Sequence, residues 1–145
     1  MKLVSRTLLL LFAVFILCAV LGLACNNSPS APRGLYRITH DSLERGEFVI
    51  LKMPLKRIAA VAGDIVRVTP EGSYINGKLW AGSGIPRDVL ISHWLEHYPF
   101  GTYTLKPGQL WVLSHNPLGW DSRYFGPVDQ SLVNATAEPL LTTEE

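Results

Sequence analysis

From Thr7 to Ala24 the chain carries no charged side chain and consists mostly of Leu, Val, Ile, Phe and Ala. As a helix, a run of that length crosses roughly 30 Å of hydrocarbon. Lys2 and Arg6 stand just before it. The positive-inside bias therefore puts the N-terminus in the cytoplasm and everything after Cys25 across the membrane. The expected division is residues 1–25 as a membrane anchor or signal sequence and residues 26–145 as a single extracytoplasmic body, which has enough chain for one core.

The same segment has rival readings. Gly22 and Ala24 are small residues at the spacing of a signal-peptide cleavage site, and Cys25 follows directly. Leu21-Gly22-Leu23-Ala24-Cys25 also loosely resembles a lipoprotein box. Hydrophobic length favours a retained single-pass anchor.

The charge balance is nearly even. The formal net charge is +1, which gives no argument for nucleic acid, whose binders usually carry a basic face. The two cysteines, Cys18 and Cys25, lie in or beside the apolar run. The body beyond it thus has neither a disulfide framework nor a thiolate metal site, and no cofactor is expected.

Short apolar segments separated by turn residues make that body mainly β, a small barrel or folded sheet. Glu47–Met53 reads as a strand interrupted by Pro54, Arg57–Ala62 as a second, and Ile65–Thr69 as a third after the Gly63-Asp64 turn. Asn76-Gly77, between the apolar-flanked arms of Tyr74–Trp80, is a type I′ hairpin signal. Pro86–Tyr98 is the one helix expected outside the membrane. Gln109–Ser114 reads as a strand, and Tyr124–Val128 allows another. Asn26–Pro32 is a short polar connector. It keeps Ser30 within about 18 Å of the membrane exit at ~3.5 Å per residue.

Three segments carry possible chemistry. In Ser28-Pro29-Ser30-Ala31-Pro32-Arg33-Gly34-Leu35-Tyr36, two prolines and a glycine hold a serine in a fixed path, although a plain Ser/Pro linker has the same composition. In Lys56-Arg57-Ile58-Ala59-Ala60-Val61-Ala62-Gly63-Asp64, a lysine stands among apolar residues. Desolvation there favours the neutral amine, which can take a proton from a serine hydroxyl. A strand-edge lysine is the bland alternative, and Lys52 is a rival base. Asp121-Ser122-Arg123-Tyr124-Phe125-Gly126-Pro127-Val128 places an Asp and an Arg in an aromatic-rich loop, where they could simply staple a turn.

In this order the three segments resemble the boxes of the type I signal peptidases, most closely the conjugative-transfer, TraF-type branch. The resemblance runs from the N-terminal anchor to about Val128. It implies a signal-peptidase-type folded β-sheet or barrel with one N-terminal transmembrane helix and one short helix, sited at the inner membrane with its catalytic body on the periplasmic side. It further implies Ser30 as nucleophile, Lys56 as general base and Asp121 as a supporting acid that pairs with Arg57 or Arg123. Ser28 takes the position of an oxyanion-hole hydroxyl beside the Ser30 amide. The implied partner is an exported precursor, a pro-pilin, cut after small residues and in some relatives cyclised.

Two positions depart from the resemblance. Many relatives carry a lysine-orienting serine two residues before the final-box aspartate, where this chain has Gly119. Ser122, Ser114 or a water could substitute for it. Ala62 stands where proline is frequent.

Other functions also find support in the residues. His93-Trp94-Leu95-Glu96-His97 fits the H-x-x-E-H pattern of inverted zinc peptidases, with His115 or Asp121 as a third ligand. Gly119 also leaves room for a non-catalytic assembly module of a conjugation apparatus. Asn134-Ala135-Thr136 fits a glycosylation sequon, a three-residue match too short to weigh.

Overall fold

In the computed structural model, which describes residues 2–51, 54–92 and 95–143, the chain begins with helix α1, Lys2–Val20. The side chains of residues 2–5 and of residue 92 are outside that description. Leu8, Leu9, Phe12 and Phe15 of α1 are exposed. Among the described residues no helix is long and apolar enough to cross a membrane.

The uncharged run is not helical to its end, contrary to the expectation that it spans Thr7–Ala24 as one helix. Gly22 adopts φ +62°, the left-handed conformation that ends helices at low cost only with glycine. Its N–H reaches the Ala19 carbonyl (3.2 Å), and its own carbonyl accepts from Ile38 N–H (2.7 Å). Leu23 and Ala24 then enter β1, Leu23–Asn26, paired antiparallel with β2, Gly34–Thr39.

The body beyond α1 is mainly β, as expected. It adds β3 (Phe48–Leu51), β4 (Lys56–Ala60), β5 (Ile65–Thr69), β6 (Gly72–Ile75), β7 (Lys78–Leu79), β8 (Gly101–Thr104), β9 (Gln109–Leu113), β10 (Val128–Asp129) and β11 (Val133–Thr142). Among the described residues one sheet runs β1-β2-β11-β3-β4-β9-β10 and a smaller one runs β7-β6-β5-β8. Ala59, Ala60, Trp111 and Leu113 of the larger sheet pack with Val66, Val68 and Ile75 of the smaller, so one core cluster joins the two. A second cluster gathers Val49, Leu51, Ile58, Leu110, Val112 and Val128, from β3, β4, β9 and β10. The Asn76-Gly77 turn connects β6 and β7 with φ 50° and 85°, the paired positive values of a type I′ hairpin.

Three expectations need correction. The helix foreseen over Pro86–Tyr98 is only α2, Arg87–Ser92. Glu96, His97 and Tyr98 lie outside it, and Pro99 disfavours helical backbone at Tyr98 itself. Tyr98 N–H instead donates to the Arg123 carbonyl (2.7 Å). The possible strand at Tyr124–Val128 is a helical turn, α3, Ser122–Phe125. Asp121 caps it by accepting the Arg123 N–H, and Gly126 (φ 82°) ends it, so extended backbone resumes only at Val128. The connector Asn26–Pro32 is an ordered turn rooted in β1 rather than a linker.

Strand β11 pairs with both β2 and β3 and fixes the sheet around the Ser30 loop. Its Pro139 sits at a register shift, where a missing N–H does least harm. Gly34 lies so close to β11 that a Cβ there would collide with the backbone at Leu141 and Thr142.

Candidate active site

Lys56 opens β4, an interior strand between β3 and β9. It is therefore no edge lysine, and it is 1% exposed. Its Nζ lies 3.3 Å from Ser30 Oγ and donates a hydrogen bond to it. Burial pushes the Lys56 pKa down. The Asp121 charge works against that shift, and the Arg123 charge adds to it. A desolvated amine held next to a hydroxyl is equipped to take its proton.

Ser30 is buried on a turn that Asn26 organises. Asn26 Nδ2 donates to the carbonyls of Ser28 (3.1 Å), Ala31 (3.0 Å) and Pro32 (3.1 Å), and Oδ1 accepts Ser28 N–H (3.1 Å). From the opposite side, His115 N–H and Ser114 Oγ donate to the Ser30 carbonyl, at 2.8 and 3.3 Å. Ser30 N–H donates to Ser28 Oγ (3.2 Å), whose hydroxyl donates to Ser30 Oγ (3.0 Å). The two groups expected to hold an oxyanion are thus hydrogen-bonded to each other at rest.

Asp121 and Arg123 form a buried pair, with Arg123 Nη2 2.6 Å and Nε 2.9 Å from the carboxylate. Asp121 also accepts Ser114 N–H (2.7 Å). Of the two arginines considered for this carboxylate, the structure brings Arg123 to it and not Arg57. Arg57 Nε donates to the Gly46 carbonyl (3.0 Å), and its guanidinium lies over the rings of Phe48 and Trp80.

A model of the signal peptidase family, peptidase S26, matches residues 2–141. The chain belongs to the S26 signal peptidases. It is 27% and 25% identical to two plasmid transfer proteins TraF of Escherichia coli, with 83% of this chain covered in each case, and 84% and 83% of the relatives. A crystal structure of a signal peptidase I of Enterococcus faecalis aligns at TM-score 0.45 and 20% identity, over 71% of this chain and all of that one. Family membership makes the protein a signal-peptidase-type serine peptidase, a hydrolase.

In this peptidase the glycine at position 119 has a steric explanation. A Cβ there would collide with the Ser114 side chain. Ser114 fills the space a side chain at 119 would need, yet neither it nor Ser122, whose Oγ accepts Val112 N–H (2.9 Å), hydrogen-bonds Lys56.

His93 of the zinc pattern and Lys52, the rival base, lie outside the described residues. His97 Nδ1 is 2.9 Å from the Tyr98 carbonyl, and its ring stacks on Phe100. The described residues contain no group of three potential metal ligands.

Two features escaped the sequence. By composition alone Asn26 is only the start of a polar connector. The signal available was an Asn placed two residues before a Ser-Pro turn, the spacing of an Asx-turn. The other is a groove of about 670 Å³ that opens beside Ser30 and runs to Trp80 and the β6–β7 hairpin. It needs strands distant in sequence and has no local signature.

Proposed function

We propose that this peptidase is a membrane-anchored endopeptidase that cuts an exported precursor, with Ser30 as nucleophile and Lys56 as general base. The observation that carries this reading is the 3.3 Å approach of a buried lysine amine to a buried serine hydroxyl beside an open groove. Lys56 takes the Ser30 proton as Oγ attacks the peptide carbonyl. The oxyanion exchanges the resting Ser28–Ser30 bonds for bonds from Ser30 N–H and the Ser28 hydroxyl. Removal of one such donor typically costs about 3 kcal/mol of barrier. As the C–N bond breaks, Lys56 returns the proton to the leaving amine. Water then releases the acyl group, or an amine does so and joins two ends. Asp121 and Arg123 act through the scaffold, by holding the β9 end and the loop that supports Ser30.

The resemblance to TraF-type enzymes supports a conjugative pro-pilin as the precursor. The charge order around the apolar run and the exposed leucines of α1 support attachment to the inner membrane through this segment, with residues 26–145 as the periplasmic domain. Co-expression with a candidate pilin precursor, read by mass spectrometry, tests the reading. A shortened product is expected with the natural chain and not with Ser30→Ala or Lys56→Ala. The mass also reports the cut bond and any cyclisation. Processing that persists in Ser30→Ala would overturn the proposal. A non-catalytic module predicts no acylation of Ser30 by a serine-reactive probe.

A further inference from the structure

Arg57, one of the two arginines expected to pair with Asp121, lines the groove instead. Among the described residues, the charged ones lining the groove are Arg45, Arg57 and Lys78, with no Asp or Glu beside them. The whole chain holds 13 basic and 12 acidic residues, so this wall does not reflect average composition. Arg45 is partly offset by its ion pair with Asp64. Lys78 lies exposed on β7, and no ion pair to it exists among the described residues. The Arg57 guanidinium lies 5.5 Å from the centroid of Phe48 and 5.8 Å from that of Trp80, both of which also line the groove. A guanidinium set against aromatic rings is a planar donor matched to a carboxylate. Apolar walls beside one sign of charge focus its field on whatever enters.

We propose that the groove selects peptide segments that carry a carboxylate side chain near the bond presented to Ser30, with Lys78 and Arg57 reading that charge. The inference takes its substrate from the peptidase reading, but binding alone reports on it.

The test uses the full chain carrying Ser30→Ala, in detergent, and a short labelled peptide of small neutral residues. A single Glu is scanned along the peptide and compared with Gln at each position by fluorescence anisotropy. At one or more positions Glu binds about two- to fivefold tighter than Gln, the range of an exposed ion pair. The advantage shrinks as salt shortens the reach of the field, and adding Lys78→Glu abolishes it. Equal binding of Glu and Gln at every position overturns the proposal. So does a Glu preference that Lys78→Glu leaves intact. Absence of serine-probe labelling in the natural chain counts against the peptidase reading and leaves this comparison standing.

Discussion

Arg123 and Asp121 form an ion pair of 2.6 Å in which the two side chains are 1% and 0% exposed. The same carboxylate accepts Ser114 N–H, and the next residue, His115, donates its N–H to the Ser30 carbonyl. The pair therefore supports the Ser30 turn through the backbone. Asp121→Ala leaves a buried guanidinium without its counter-charge, which costs about 3–5 kcal/mol in chemical denaturation. An Asp121→Ala protein of unchanged stability that had lost all activity would instead give Asp121 a direct chemical part.

The Asn26 clamp sets the direction of the Ser30 hydroxyl. Asn26→Ala removes the clamp's four hydrogen bonds and lets the turn drift from Lys56. A misplacement near 1 Å costs about a hundredfold, so acylation of Ser30 by a serine-reactive probe slows at least about tenfold. Asn26→Asp keeps the acceptor and loses the three donated bonds, and it falls between the two. Labelling rates beside melting curves separate this effect from unfolding.

Gly119 and Ser114 share one space. Gly119→Ser forces its Cβ into the Ser114 side chain and destabilises by about 1–3 kcal/mol. Ser114→Gly removes the obstructing atoms. In a double-mutant cycle the two changes are then non-additive, with Gly119→Ser costing less when Ser114 is glycine. Additive costs would show that the two positions do not compete.

Lys56 weakens the fold it serves. Its amine binds protons less readily folded than unfolded, because burial lowers its pKa. Between the folded and the ordinary lysine value, the unfolded chain holds the extra proton. Stability therefore rises with pH through that window and is lowest below it. Lys56→Met removes this dependence and raises stability near neutral pH. Denaturation midpoints across the alkaline range check the slope.

The strands that repeat a local pattern were legible in the sequence. Ile65–Thr69 alternates by residue, and Asn76-Gly77 permits only a narrow set of turns. The strands β2 and β11 were not foreseen, because their pairing is set by a partner about a hundred residues away and β11 contains a proline. The helix expected through Tyr98 stops short of it, where Pro99 disfavours helical backbone. At the site, Ser30 and Lys56 are legible only as part of three ordered boxes; neither segment is distinctive alone. Arg57 and Arg123 were both open as partners of Asp121, and Arg123 takes that place. The strand position of Arg57 puts it on the groove wall instead.

If Lys56 activates Ser30, the protonation of the amine governs how fast Ser30 is acylated as pH changes. The natural chain and Lys56→Ala are treated with a serine-reactive probe across pH, and the labelled residue is located by mass spectrometry. In the natural chain, Ser30 labelling rises with pH to a plateau, with its midpoint below the ordinary lysine range, the direction in which burial moves this amine. In Lys56→Ala the labelling is lost. Equal rates and the same pH profile in both proteins would show that Lys56 does not activate Ser30.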